Sequence, residues 1–421
     1  MALQHHTTRR LAPALRCAAM AAGFVCVALA QADDGAPQPS WSLSGFGSAG
    51  LAYSDHDGAD YATSLLKGAG VGASGRWSGS VDSRLGAQLS VKAGAQWSAV
   101  LQVISEQRLD HTYRPIVEWA NLQYQATPDL ALRIGRIALP MFLAADYRKI
   151  GYAYPWARTP VEVYGAIPIT NSDGIDATYR WHRGSLKNLT QVFFGRTDLR
   201  LPADGRIEVR RLAGFSDTLE YGAASARVSM LSSELTVDAL RDVVDGLRQF
   251  GAAGAALAQY YALDHKRVDA IGIGASYDPG HWFAMAEMGR MRSHSFYGDT
   301  TSVYASGGYR VGHFTPYLAY ARIHTNGGGA PHLELAGLPA AAAAAGAGMN
   351  AYLAALSTTI PVQRTISAGL RWDCLASAAL KLQLDQVTPL DGSRGTFINV
   401  QPAFRSGRRV TVASAVLDFV F

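Results

Sequence analysis

Residues Arg409–Phe421 read RVTVASAVLDFVF and alternate without a break. Counting back from the end, Phe421, Phe419, Leu417, Ala415 and Ala413 share one face. Val420, Asp418, Val416 and Ser414 share the other. Successive side chains of a strand point to opposite sides, so the two sets never mix. The first face is apolar and suits lipid; the second carries the charge and suits a wet interior. A strand of this kind fits the wall of a transmembrane barrel.

The same alternation recurs in blocks of about ten residues, the length a tilted strand needs to cross a bilayer. Trp41–Ser54, Val81–Lys92, Ala95–Gln107, Pro115–Ala126, Leu130–Ile137, Ser172–His182 and Asn188–Thr197 make the first half. Asp217–Ser229, Glu234–Val243, Arg267–Asp278, Trp282–Met291, Thr300–Val311, Phe314–His324, Arg364–Leu375, Ala379–Val387 and Arg409–Phe421 make the second. Short turns such as Thr127-Pro128-Asp129 and Pro279-Gly280 alternate with long loops. Outer-membrane barrels sort their connections this way, and a soluble sandwich has no reason to. The predicted fold is all-β: one antiparallel transmembrane barrel of about sixteen strands. Within the loop Val244–Lys266 and just before it, Leu240, Val243, Val244, Leu247 and Phe250 fall at helical spacing and predict a short helix.

The N-terminus reads as a secretory signal. Arg9, Arg10 and Arg16 form a basic region, Cys17–Ala30 is a short apolar run, and Ala30-Gln31-Ala32 is a cleavage site. Cleavage makes residues 1–32 the signal and 33–421 the single mature domain. Three arginines and no acids leave with the signal, so the formal charge falls from +5 to +2, which gives no support for nucleic-acid binding. Cys374 is then the lone cysteine, too few for a disulfide framework. No later run is apolar enough for a membrane helix; the Ala-rich Leu333–Leu356 is interrupted by Gly337, Pro339, Gly346, Gly348 and Asn350.

The longest aromatic-rich connection is Ala138–Asn171, with Pro140, Pro155, Pro160 and Pro168. Tyr147, Tyr152, Tyr154, Trp156 and Tyr164 argue for an ordered segment. A loop this long in a compact chain is functional or disordered, so this one is expected to fold into the lumen and narrow it. Its charges are Asp146, Arg148, Lys149, Arg158 and Glu162, with Asp173 and Asp176 at its exit. Its aromatics either pack the loop on the wall or offer stacking surfaces to solutes. There is no G-x-S-x-G nucleophile motif, no phosphate loop and no metal-ligand spacing among the histidines, so neither an enzyme nor a cofactor is expected.

Several stretches resemble the general porins of Gram-negative bacteria. Ser44–Leu51 is similar to their first strand, Asp82-Ser83-Arg84-Leu85-Gly86 to their second, and Leu132–Arg136 to the strand leading into their constriction loop. Asp176–Arg180 resembles the strand leaving that loop, and Val416–Phe421 the terminal strand, whose closing Phe421 the outer-membrane assembly machinery recognises. The resemblance implies an outer-membrane homotrimer in contact with lipid, passing small hydrophilic solutes and ions. It places Arg84, Arg136 and Arg180 on the pore wall, opposite the constriction loop. Alternation from Leu132 and Ile134 instead carries Arg136 toward lipid. The family's acidic P-E-F-G-type segment is absent, and Ser48 stands where the family has a lysine. Two other readings stay open: a structural or adhesive barrel closed by the loops Val244–Lys266 and Gly337–Leu356, and a channel selective for an anion or carbohydrate.

Overall fold

The computed structural model describes residues 39–421 apart from 65, 202–204, 294 and 327–330. The expected signal peptide, residues 1–32, lies outside the described residues. The barrel strands are β1 Ser40–Ser54, β2 Arg84–Ala93, β3 Trp97–Glu106, β4 Ile116–Gln125, β5 Leu130–Ala138, β6 Asn171–Arg183, β7 Leu186–Arg200 and β8 Arg206–Tyr221. They continue as β9 Ala224–Val237, β10 Lys266–Tyr277, β11 Trp282–Ser293, β12 Asp299–Tyr309, β13 Phe314–Asn326, β14 Gln363–Leu375, β15 Ala378–Pro389 and β16 Val410–Val420. Each pairs antiparallel with its neighbours. The ring closes where β1 meets β16, with Phe46 opposite Val420 and Ser54 opposite Val412. Closure leaves no sheet edge, which is what lets a sheet span lipid.

The two faces of β16 separate as its alternation predicts. Ser414, Val416 and Asp418 are buried inside, while Leu417 and Phe421 are exposed outside. The backbone of Phe421 exchanges two hydrogen bonds with Gly45 at 2.8 and 3.0 Å, so the last residue helps close the ring. Outside, Leu132, Ile134, Ile175, Val192, Phe194, Ile273, Leu318, Ile366 and Leu382 are exposed. Stacked or tilted pairs such as Phe314 with Trp372 and Trp97 with Tyr124 stand near the short-turn ends, as interface aromatics do.

One hairpin departs from the expected boundaries. The turn expected between Ser229 and Glu234 lies instead at Gly222-Ala223, inside the segment Asp217–Ser229 read as one strand. Gly222 has φ +58°, the left-handed geometry a tight turn requires. Ser232 and Ser233 look like turn residues but belong to β9, where Ser233 is buried on the inner face.

Loops from the long-loop end build three buried clusters. The first joins the β5–β6 loop to the inner wall. The second packs residues 55–83 on residues 390–409 through Tyr61, Val71, Phe397 and Phe404. The third is helical. α2 Arg241–Arg248 and α3 Gly251–Tyr261 pack with α4 Ala340–Ser357 through Leu247, Tyr261, Leu333 and Leu353; the short helix α1, Val161–Tyr164, lies in the β5–β6 loop. The expected helix near Val244 is therefore α2. Pro339 caps α4, but Gly346, Gly348 and Asn350 lie within it rather than interrupting it. No described helix is long and apolar enough to cross a membrane.

Candidate functional site: the loop inside the barrel

The loop Leu139–Thr170 runs from β5 to β6 through the lumen, and most of its aromatics are anchors. Tyr154, Trp156 and Tyr164 are almost completely buried. The Trp156 indole donates to Ser306 on β12 at 2.8 Å. The Tyr164 hydroxyl donates to Glu287 on β11, and Tyr304 donates to the same carboxylate at 2.7 Å. The Leu143 amide gives Glu287 a third donor at 2.7 Å. The packing alternative for the aromatics is the one the geometry supports for these three.

Charged groups fasten the loop at several further points. Arg158 forks onto Asp82 through Nε at 2.9 Å and Nη2 at 2.7 Å, and reaches Asp385 of β15 through Nη1 at 2.5 Å. It also donates to Ser414 and lies over the Tyr61 ring at 5.4 Å. All three ionic groups are buried, and the two carboxylates hold the guanidinium charge strongly, pushing its pKa further up although burial opposes. Glu162 accepts from Gln363 at 2.7 Å and from Thr365. Burial raises the Glu162 pKa, and those two donors oppose the rise.

Lower in the lumen, Lys381 of β15 donates to the carbonyls of Gly151 and Trp156 at 2.6 and 2.8 Å. It also sits 2.8 Å from Asp418, which accepts from Ser48. The lysine expected on the first strand and missing at Ser48 is thus matched by a cation from a different strand, meeting at the same carboxylate. Arg371 of β14 donates to the carbonyls of Tyr152 and Tyr154 at 2.8 and 3.0 Å. The Tyr152 hydroxyl donates to the carbonyl of Ala376, in the short turn after β14, at 2.9 Å. The loop therefore reaches down the lumen to the short-turn end of the barrel.

The other edge of the loop, Asp146–Lys149, is less enclosed. Asp146 lies 3.8 Å from Arg227 of β9, which donates to the Phe142 carbonyl at 2.6 Å. Lys149 pairs with Glu106 of β3, and Lys67 pairs with Glu106 at 3.1 Å. Burial pushes Lys67 down to about 8 against the pull of Glu106. Arg148 donates to the carbonyls of Tyr164 and Ile167 and receives Arg84 at its own carbonyl at 3.5 Å.

The residues expected on the pore wall divide. Arg84 faces inward from β2 beside Arg148. Arg180 follows the inner face of β6, two and four residues past Thr178 and Asp176, and is exposed near the short-turn end. Arg136 is a correction to the expected pore wall. It keeps the alternation of Leu132 and Ile134, lies on the outer face, and pairs bidentately with Asp173 at 2.7 and 2.8 Å. Asp173 accordingly belongs to the outer face of β6 and not to the constriction. Asp176 is a wall residue of β6, not a loop residue; Arg133 forks onto it at 2.9 and 2.5 Å, with Gln191 donating at 2.7 Å.

Asp82, Glu106, Arg133, Arg227, Glu287, Arg371, Lys381, Asp385 and Asp418 were not singled out from the sequence as site residues. A signal was present at Lys381, Gln383 and Asp385, three polar residues at period two between Leu380, Leu382 and Leu384. Their partners on the loop leave no such trace.

No protein-family model matches the chain, and no curated protein matches it in sequence. Solved structures do match in fold. The outer membrane channel DcaP of Acinetobacter baumannii superposes with a TM-score of 0.52 at 11% identity, covering 91% of this chain and 97% of that one. OmpT, an outer membrane protein of Vibrio cholerae, superposes at 0.51 and 10% identity, covering 92% and 99%. The chain has the fold of these outer-membrane barrels.

Proposed function

We propose that the chain is an outer-membrane channel through which small hydrophilic solutes and ions diffuse passively. The observation that carries this is the loop Leu139–Thr170, folded inside a closed barrel and fastened there by the buried ion pairs of Arg158 with Asp82 and with Asp385 of β15. The other edge, Asp146–Lys149, is tied only at its ends, to Arg227 of β9 and Glu106 of β3, which leaves the passage between that edge and the wall of β4–β7. Glu118 Oε2 in that wall and Arg84 Nε at its margin on β2 are buried without a protein partner. Buried polar groups are satisfied by protein or water, so both suit a hydrated passage. Selectivity then arises from the width of the passage and its fixed charge. No energy source, cofactor or covalent chemistry is part of this reading. Assembly as a homotrimer remains part of the proposal, on the strength of the sequence resemblance, and native mass spectrometry of detergent-extracted protein checks it.

A second reading is a barrel whose lumen is closed. The contact of Tyr152 with Ala376 favours it, because the loop there spans the depth of the lumen and not just its waist. Single-channel current in a planar bilayer separates the two. Stepwise conductance supports the channel, whereas folded, inserted protein that passes no current overturns it and leaves the closed barrel.

A further inference from the structure

Arg322 of β13 and Arg364 of β14 are directly opposed in the sheet. Both lie on the outward face, in line with the exposed Leu318, Tyr320 and Ile366, and both are exposed. Among the described residues neither has an ion-pair or hydrogen-bond partner, unlike Arg136, Arg210, Arg267 and Arg290, each of which has a nearby carboxylate. Like charges directly opposite each other destabilise a sheet unless an anion joins them. Arg409, one residue before the buried Val410 of β16, falls on the same outward face near Thr388, the cross-strand partner of Arg364. Next to Arg322 along the outward face, His324 has a buried Nδ1 without a partner.

The height of the pair is informative. Arg322 stands eight residues along β13 from Phe314, in the lower aromatic girdle. At a tilt of about 40° that is roughly 20 Å along the membrane normal, close to the top of an apolar band about 25 Å tall. Phosphates of the outer leaflet lie at that level.

Directly below, the outer surface is concave. A groove of about 530 Å³ runs over β14, β15, β16 and β1, lined by Leu51, Trp77, Ala368, Leu382, Leu384 and Ala413. The small side chains of Ala368 and Ala413 make its floor and the leucines its rims. Ala368 is four residues from Arg364 on the same face, roughly 13 Å along the strand. A lipid headgroup and its first methylenes cover that span.

We propose that the outward face of β13–β16 holds a phosphate-bearing lipid of the outer leaflet, its phosphate between Arg322 and Arg364 and an acyl chain in the groove below. Arginine suits the role because its planar fork binds phosphate oxygens in pairs, and its stem lies along apolar surface while its head stays at the interface. The inference rests on the outer-membrane reading above.

The test uses the refolded, delipidated full chain in detergent, followed by native mass spectrometry. Probes are diphosphorylated lipid A, phosphatidylglycerol, phosphatidylethanolamine and inorganic phosphate. Wild type is expected to retain the two anionic lipids over the zwitterion, and inorganic phosphate is expected not to displace them. R322Q/R364Q is expected to weaken anionic-lipid retention roughly thirty-fold. A413W, which fills the groove and leaves the charge, is expected to weaken the lipids as well. Heat-modifiable gel mobility shows that each variant is folded. Unchanged retention in both variants overturns the proposal. Full displacement by inorganic phosphate overturns the lipid part, and cross-linking between copies of A413C in bilayers assigns the groove to a subunit contact instead. Protein that inserts and conducts but retains no anionic lipid refutes this inference alone; protein that does not insert refutes the outer-membrane reading with it.

Discussion

Replacing Arg158 by alanine strikes the most heavily tied point of the inner loop. The guanidinium bridges Asp82 and Asp385, and all three charges are buried. At an effective dielectric near 20, each pair attracts by about 4 kcal/mol at a charge separation of about 4 Å, and desolvation offsets much of the sum. Removing the cation leaves two carboxylates buried without compensation, which costs about 3–5 kcal/mol. The barrel itself keeps its ladder of backbone bonds, so the loss falls mainly on the docked loop. A change of that size lowers the ratio of docked to undocked loop by roughly 150- to 5,000-fold. Single-channel recording is expected to show larger or flickering openings, and limited proteolysis to cut within residues 139–170 while wild type resists. Arg158→Met combined with Asp82→Asn and Asp385→Asn removes every charge together and is expected to restore most of the protection, because no ion is left stranded. If R158A conducts and resists protease as wild type does, the ion cluster does not hold the loop. If the neutral triple variant is as loose as R158A, stranded charge is the wrong cause.

Further expectations can be checked separately. Glu162 is held above the usual carboxylate range by burial, so the docked loop binds its proton more tightly than the undocked one. Docking is therefore strongest below the ordinary value of 4.5 and weakens as pH rises from there toward the raised value; proteolysis of the loop as a function of pH should show this slope in wild type and lose it in Glu162→Gln. At the open edge, Arg84, Arg148, Lys67 and Lys149 face Glu106 and Glu118, and Arg180 lies below without an ion partner among the described residues. That excess predicts a reversal potential on the anion-selective side under a salt gradient, moved toward cations by Arg180→Glu; a cation-selective wild type refutes this charge assignment. Gly135 has φ +124°, and an added Cβ would meet the Ala120 carbonyl oxygen at 2.2 Å. Gly135→Val is expected to cost about 1–3 kcal/mol, seen as a lower denaturant midpoint of the refolded barrel. Phe421→Ser should reduce the folded yield in cells several-fold and affect refolding of purified protein much less, since the two backbone bonds to Gly45 survive and only the packing of the phenyl over Gly45 and beside Phe419 is lost. Equal yields in cells would remove the assembly role.

The barrel was legible because every strand carries its own two-face pattern. In β16 the buried Asp418 and exposed Leu417 could be assigned from alternation alone. The hairpin at Gly222 was misplaced because turn-forming residues are ambiguous inside a strand: Ser233 faces a polar lumen and Ser232 the opposite side, and both keep the strand's hydrogen bonding. Arg136 shows a conflict between two kinds of inference. The motif put it in the pore and the period of two put it outside, and the local period is what the backbone obeys. The loop's partners were illegible for a different reason. Arg158 is 227 residues from Asp385, and Tyr152 is 224 from Ala376, so no local spacing records either contact.

The positions of those distant contacts bear on where a solute can go. Arg158, Glu162, Trp156, Tyr152 and the carbonyls held by Lys381 and Arg371 all attach to strands between β12 and β16, or to residues just before β2. Tyr164 and Leu143 add β11, Phe142 and Asp146 add β9, and Lys149 and the Arg148 carbonyl add β3 and β2. On the opposite wall, Arg133 and Asp176 satisfy each other and Gln191, with no loop atom in the set. A loop meant only to fill the lumen gains from anchors on all sides, because every unfilled gap forfeits packing. Here the polar ties run from β9 through β16 to β3, and the remaining stretch of wall, where Arg133, Asp176 and Gln191 satisfy one another, is left available to water. The asymmetry of the anchors thus favours the channel over the closed barrel. It also names the wall, β4–β7, where substitutions such as Arg133→Ala should alter conductance without releasing the loop.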